Sequence, residues 1–227
     1  MAAGIAFYVD PPGRTFDTNS TYTGFLNNLR QLGEALQLYA ARNNGVLPPT
    51  AVVDDKGKPL YSWRGIILHQ IGRSDLYEEL HNHESWNGPS NFALSKFVIR
   101  TYQCPEESYS QRPTTNYCAI VGPNTAWSLA QRGRSLDYIA KHKGLNRTIL
   151  LIEVPNSGIN WLEPRDVTIE QLKDGLRGLI PSGGSSPHPE GFNVLFADGH
   201  VETLPEDIDP AELAAMVSVN PPDASAK

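Results

Sequence analysis

The sequence predicts an α+β fold: a long N-terminal amphipathic helix packed on a C-terminal antiparallel sheet, with several short helices and long loops between them. Three observations carry this expectation. Residues 21–44 hold an apolar stripe at helical spacing, and residues 147–154 and 192–204 hold β-branched, apolar runs bounded by turn residues. Glycine and proline are frequent, at 19 and 18 of 227 residues, which implies many turns. The expected organisation is a single domain over 21–217, an N-terminal extension over 1–20 and a disordered tail over 218–227.

Composition narrows the class. Hydrophobic residues make up 40 % of the chain and charged residues 19 %, the balance of a globular domain. Nineteen basic residues face 25 acidic ones, for a net charge of -6, and the basic residues form no cluster. Nothing here attracts a phosphate backbone, so nucleic acid is excluded as a partner. No apolar run approaches the roughly 20 residues that span a bilayer. The opening Ala2–Val9 is apolar but stops at Asp10-Pro11-Pro12, and no basic segment precedes it as in a signal peptide. Read alone it is a short strand; the other reading is the stump of a membrane anchor.

The elements follow in order. Phe25, Leu29, Leu32, Leu36 and Tyr39 recur at spacings of four and three, with Leu26 and Ala40 widening the stripe, and Asn44-Gly45 stops the helix. Two short helices are expected at Trp63–Ile71 and Asp75–Leu80, the second capped by Ser74. Asn82–Ser90 reads as loop, Asn91–Lys96 as a helical turn and Val98–Gln103 as a strand. Strands follow at Asn116–Val121 and Arg147–Val154, then a short helix at Val167–Leu176 with Thr168 as its cap. Pro181–Pro187 is a flexible loop. Asp198-Gly199 separates two β-rich runs and signals a hairpin. A last short helix covers Ala211–Val217.

The densest polar grouping surrounds that hairpin: His188, Asn193, Asp198, His200 and Glu202. His188, Asp198 and His200 could serve as ligands of a zinc or iron enzyme. Against this, Asp198 at a turn serves its own backbone and is expected to point away from His200 and Glu202, so the structural reading leads. His81 and His83, with Glu78, Glu79 and Glu84, are expected to be a solvated helix end. No nucleophile elbow, phosphate-binding loop or dinucleotide fingerprint occurs. Trp161 and Trp127 offer aromatic rings for a ligand-binding module, although scattered rings more often pack a core. Cys104 and Cys118 are either a disulfide pair or two buried thiols.

His188-Pro-Glu-Gly191-Phe192-Asn193-Val-Leu-Phe-Ala-Asp198-Gly199 resembles the C-terminal motif, His then nine residues then Asp-Gly, of a pseudopilin-like family of unknown function with prepilin-type processing. The helix Phe25–Tyr39, the segments Tyr61-Ser-Trp-Arg64 and Tyr102-Gln-Cys-Pro105, and Asn160-Trp161-Leu-Glu-Pro164 resemble the same family in the same order. Members are similar to type II secretion G-like and type IV pilin-like proteins. The resemblance implies a pilin-like architecture, a membrane helix preceding the amphipathic one, cleavage by a prepilin peptidase and an extracytoplasmic, membrane-anchored domain of the cell envelope. It implies no catalytic activity and no cofactor, with protein partners in a secretion or pilus-type assembly. Calcium in a C-terminal loop enters by analogy with some pseudopilins. The family's apolar anchor has no counterpart here except Ala2–Val9, which becomes its stump. An oxidising compartment would also favour a Cys104–Cys118 disulfide. The motif residues His188, Gly191, Phe192, Asn193, Asp198 and Gly199 are then structural, with His188 folding back toward the turn.

Overall fold

The computed structural model describes residues 18–105, 111–127, 133–179 and 190–219. Helix α1 spans Thr18–Arg42, so its first residues fall within the segment assigned to the extension 1–20. Leu29, Leu32, Leu36 and Ala40 are buried and Tyr39 is half-buried, whereas Arg30, Gln31, Glu34 and Arg42 are exposed. The side chains of Phe25 and Leu26 lie outside the described residues. The helix ends as its sequence requires. Asn44 and Gly45 adopt φ of 55° and 76°, and the Gly45 N–H donates back to the Ala40 carbonyl at 2.8 Å.

A small hairpin follows, β1 (Ala51–Val53) against β2 (Pro59–Ser62), and leads directly into α2 (Trp63–Ile66). The expected helix to Ile71 continues only as turns beyond α2. In α3 (Ser74–Glu79), Ser74 is the first helical residue and not the cap; its hydroxyl pairs with His69 Nδ1 at 2.8 Å. After α4 (Pro89–Leu94) the expected strand 98–103 does not form, and Arg100–Tyr102 is a 3-10 turn. Its carbonyls find side-chain donors in place of a neighbouring strand. Asn28 Nδ2 of α1 donates to Arg100 O at 3.2 Å and Gln103 O at 2.9 Å, and Ile99 and Tyr102 turn into the core.

The rest of the chain supplies β3 (Thr114–Thr115), β4 (Tyr117–Val121), α5 (Leu136–His142), β5 (Ile149–Glu153), β6 (Ile159–Asn160), β7 (Val167–Thr168), β8 (Phe192–Phe196), β9 (Val201–Leu204) and α6 (Pro210–Val217). The main sheet runs β7-β4-β5-β8-β9, with β3 and β6 forming a separate pair. It is antiparallel except at one edge, where β7 runs parallel to β4, so the expected purely antiparallel sheet is corrected to a mixed one. Only Val167–Thr168 of the expected helix 167–176 is strand; a 3-10 turn follows, and the Thr168 N–H donates to Gln171 Oε1 at 2.8 Å. Ser218 and Val219, assigned to the tail, belong to the body: Val219 is buried and its N–H donates to Asn124 O at 2.7 Å.

Both faces of the sheet are covered. Tyr117, Ala119, Leu151 and Leu195 pack with Leu29, Leu32 and Leu36 of α1 and with Trp63, Trp127 and Trp161. Cys118, Ile120, Ile152, Phe192 and Val194 face the other way, onto Leu172, Leu176, and Leu213 and Val217 of α6. This is why β4, β5 and β8 are buried along their whole length and read as continuous apolar runs, while edge strand β9 alternates.

One buried ion pair fixes the sheet's edge. Arg64 Nη2 of α2 lies 2.5 Å from Asp166 Oδ1, with side chains 0 % and 3 % exposed. Arg64 also donates to Tyr117 O, at 2.9 Å from Nη2 and 3.2 Å from Nε. Asp166 Oδ1 accepts the Ala119 N–H at 2.8 Å, and the carboxylate accepts the Trp63 indole N–H. Burial pushes the Asp166 carboxyl above its ordinary value, and Arg64 and these N–H donors pull it back. Removing one partner leaves a buried charge uncompensated. Asp166→Ala and Arg64→Ala should therefore each lose roughly 3–5 kcal/mol of unfolding free energy in urea titrations. The double variant Arg64→Met/Asp166→Leu should lose less than the sum of its two singles; strict additivity would show that the two groups do not act as a unit.

Candidate functional site

The hairpin β8–β9 meets α1 through glycines. Phe196 N–H donates to His200 O at 2.9 Å and Gly199 N–H to Phe196 O at 3.0 Å, which makes a three-residue turn, Ala197-Asp198-Gly199. Only its last residue needs positive φ: Gly199 stands at 95°. A β-carbon there would sit 3.0 Å from Gln37 Nε2 of α1. One turn earlier, a β-carbon on Gly33 would meet Leu195 of β8 at 3.0 Å and the Gly199 backbone at 3.6 Å. The Asp-Gly turn is thus the seam between sheet and helix. Gly191, entering β8 at φ 130°, is more constrained, since a β-carbon would fall 1.9 Å from the Leu204 carbonyl oxygen.

The remaining motif residues divide between core and turn. Phe192 is buried on the α6 face. Asn193 is buried in a polar chain across three strands, its Nδ2 donating to Glu153 Oε2 and its Oδ1 accepting from Thr203 Oγ1, both at 2.8 Å. Asp198 does accept a backbone N–H, from His200 at 3.1 Å, but it does not point away from its neighbours. Its Oδ1 also lies 2.5 Å from His200 Nδ1, while His200 Nε2 reaches Glu202 Oε1 at 3.3 Å. The His200 ring lies flat on Phe196, 4.3 Å between centroids. Both imidazole nitrogens are therefore engaged by carboxylates. His188 lies outside the described residues. Among those described, no group of three His, Cys, Asp or Glu side chains is placed to hold a metal.

The other expected sites resolve into packing. Trp127 and Trp161 are buried, not a ligand platform; their indole N–H groups donate to Leu150 O at 2.8 Å and Phe97 O at 2.9 Å. In the acidic and histidine cluster, Glu84 Oε1 accepts the Ser90 and Asn91 N–H groups at 2.7 and 3.0 Å, capping the start of α4. The Asn91 N–H, then Ser90, hold the Glu84 carboxyl below its ordinary value. Cys104 and Cys118 are buried thiols, not a disulfide. Cys118 turns to the α6 face, and the Cys104 N–H donates to Asn116 Oδ1 at 2.8 Å. The centre that the motifs did not assign is the Arg64–Asp166 pair. Its one signal is a charged residue inside the apolar run Leu60–Leu68.

Two tests follow from this geometry. Gly199→Ala places a β-carbon at positive φ beside the flexible end of Gln37 and should lose roughly 1–3 kcal/mol. Gly191→Ala adds a clash with the rigid Leu204 backbone and should melt at a still lower temperature; the reverse order would contradict that closer approach. Burial pushes the Cys118 thiol up to about 12, so little thiolate exists near neutrality. Folded protein at pH 8 should react with a thiol reagent far more slowly than protein in guanidinium, which should show two thiols; prompt labelling of Cys118 in the folded state would contradict its burial.

No curated protein and no solved structure matches the chain. Residues 26–177 match a family model described as protein of unknown function (DUF1559), a span that covers α1 from Leu26 onward, the Arg64–Asp166 centre and the sheet through β7. The chain therefore belongs to the DUF1559 family of proteins of unknown function.

Proposed function

We propose that this protein is a non-enzymatic, extracytoplasmic, pseudopilin-like structural or interaction protein of a secretion or pilus-type assembly. It would act through protein partners in the cell envelope, held at the membrane by an apolar helix preceding α1 and released from its leader by a prepilin peptidase. The observation that carries this reading is the seam: the end of the motif, Asp198-Gly199, packs the hairpin turn against α1 at Gly33 and Gln37. Further support comes from the ordered resemblance along the chain and from membership of a family of unknown function over residues 26–177. Asp198, His200 and Glu202 bond to one another, and a net charge of -6 without a basic cluster favours protein partners over nucleic acid. Among the described residues no helix is long and apolar enough to cross a membrane.

The complete gene, with whatever precedes Met1, provides the test. Expressed in its native host, the protein should fractionate with the envelope and carry a shortened N-terminus that depends on the prepilin peptidase. Photo-crosslinkers at exposed α1 positions such as Arg30 and Glu34 should capture envelope proteins. Cytosolic protein with an intact N-terminus, in cells with and without the peptidase, would rule the proposal out.

A further inference from the structure

Two hollows of about 480 Å³ and 450 Å³ open at the C-terminal end of α1. Both are bordered by Tyr39 and Asn43, so they adjoin at the helix end as a trough flanking these two side chains. Tyr77, 44 % exposed, stands in its wall with Arg42, His69 and Gln70. We propose that this trough binds an acidic oligosaccharide. The proposal goes beyond the assembly reading and does not depend on it.

The chemistry of the lining selects the ligand. Tyr39 and Tyr77 supply flat apolar faces with a polar edge, which suit the C–H face of a sugar ring. The Tyr39 phenol is held above its ordinary value, first by burial and then by Tyr77 beside it. Gln70 lines the same hollow, and its Oε1 is buried without a hydrogen-bond partner among the described residues. Asn43 donates Nδ2 to Tyr39 O at 2.8 Å, which leaves its side-chain carbonyl for a hydroxyl. His69 uses Nδ1 on Ser74 and retains Nε2. No carboxylate among the described residues lines either hollow, although the chain carries a net charge of -6. Arg42 is exposed and has no carboxylate partner among the described residues, so its planar fork is open to a sugar carboxylate. A single guanidinium among phenols and amides matches an occasional acid on a hydroxyl-rich chain. A continuous phosphate backbone would need several cations.

Calorimetric titration of the purified chain with trigalacturonate, and with neutral maltotriose for comparison, decides the matter. Trigalacturonate should bind at least about tenfold more tightly than maltotriose, and Arg42→Gln and Tyr77→Ala should each weaken it by about tenfold or more. Both side chains are solvent-facing, so melting temperatures should stay near that of the parent. Phe92→Ala, exposed on α4 and outside the trough, should leave the affinity unchanged. Absence of trigalacturonate binding, equal affinity for the two sugars, or unchanged affinity in Arg42→Gln would overturn the proposal.

Discussion

The fold depends on how the outer edge of β4 is satisfied. On its inner side β4 pairs with β5 from Tyr117↔Glu153 to Ala119↔Leu151. On its outer side β7 begins to pair only at Ile120↔Val167, which leaves the Tyr117 carbonyl and the Ala119 N–H without a strand neighbour while fully buried. Unpaired backbone groups in such a place are expensive, and two apolar side chains would fill the volume without pairing them. Arg64 and Asp166 do what a strand would do: the guanidinium donates to the carbonyl and the carboxylate accepts the N–H. The same requirement organises the middle of the chain. Ser62 is tied to the 161–162 backbone through its own N–H and hydroxyl, and Tyr102 donates to the Arg64 carbonyl at 2.6 Å. The long loops are therefore pinned at one charged centre.

A second constraint acts at the other side of the sheet, where α1 must approach β8 closely. Gly33 supplies the room on the helix and Gly199 supplies it on the hairpin, and Leu195 fills the space between. The two constraints have different chemistry. The ion pair specifies which segments meet and is costly to disturb from either partner. The glycine seam specifies how near two finished elements come, and flexible side chains such as Gln37 can absorb part of an error there.

This difference governs what could be read from sequence. The stripe of α1, the continuous runs of β4, β5 and β8, and the Asp-Gly turn are local signals, and each element lies where its residues place it. Val98–Gln103 is β-rich yet forms a 3-10 turn, because its carbonyls are taken by Asn28, far away in the chain. Likewise Ser74 looks like a helix cap until His69 takes its hydroxyl. The Asp198–His200–Glu202 contacts depend on side-chain direction at a three-residue turn, which spacing alone does not set. Arg64 was visible as a charge in an apolar run, but its partner lies 102 residues away and no periodicity links them.

The two constraints also bear on where this domain can present chemistry. With both sheet faces covered and the histidine of the hairpin held between carboxylates, the polar groups inside the fold are largely committed to one another. Outward-facing groups that are both fixed and uncommitted are therefore of most interest, because a ligand gains most from side chains already held in place. The end of α1 meets that description. Gln37 is set against the hairpin turn, so the helix is anchored just before Tyr39 and Arg42 emerge, and the Asn44-Gly45 cap holds its last turn in shape. The packing that makes the hairpin motif structural thus also stiffens the platform from which the trough residues project.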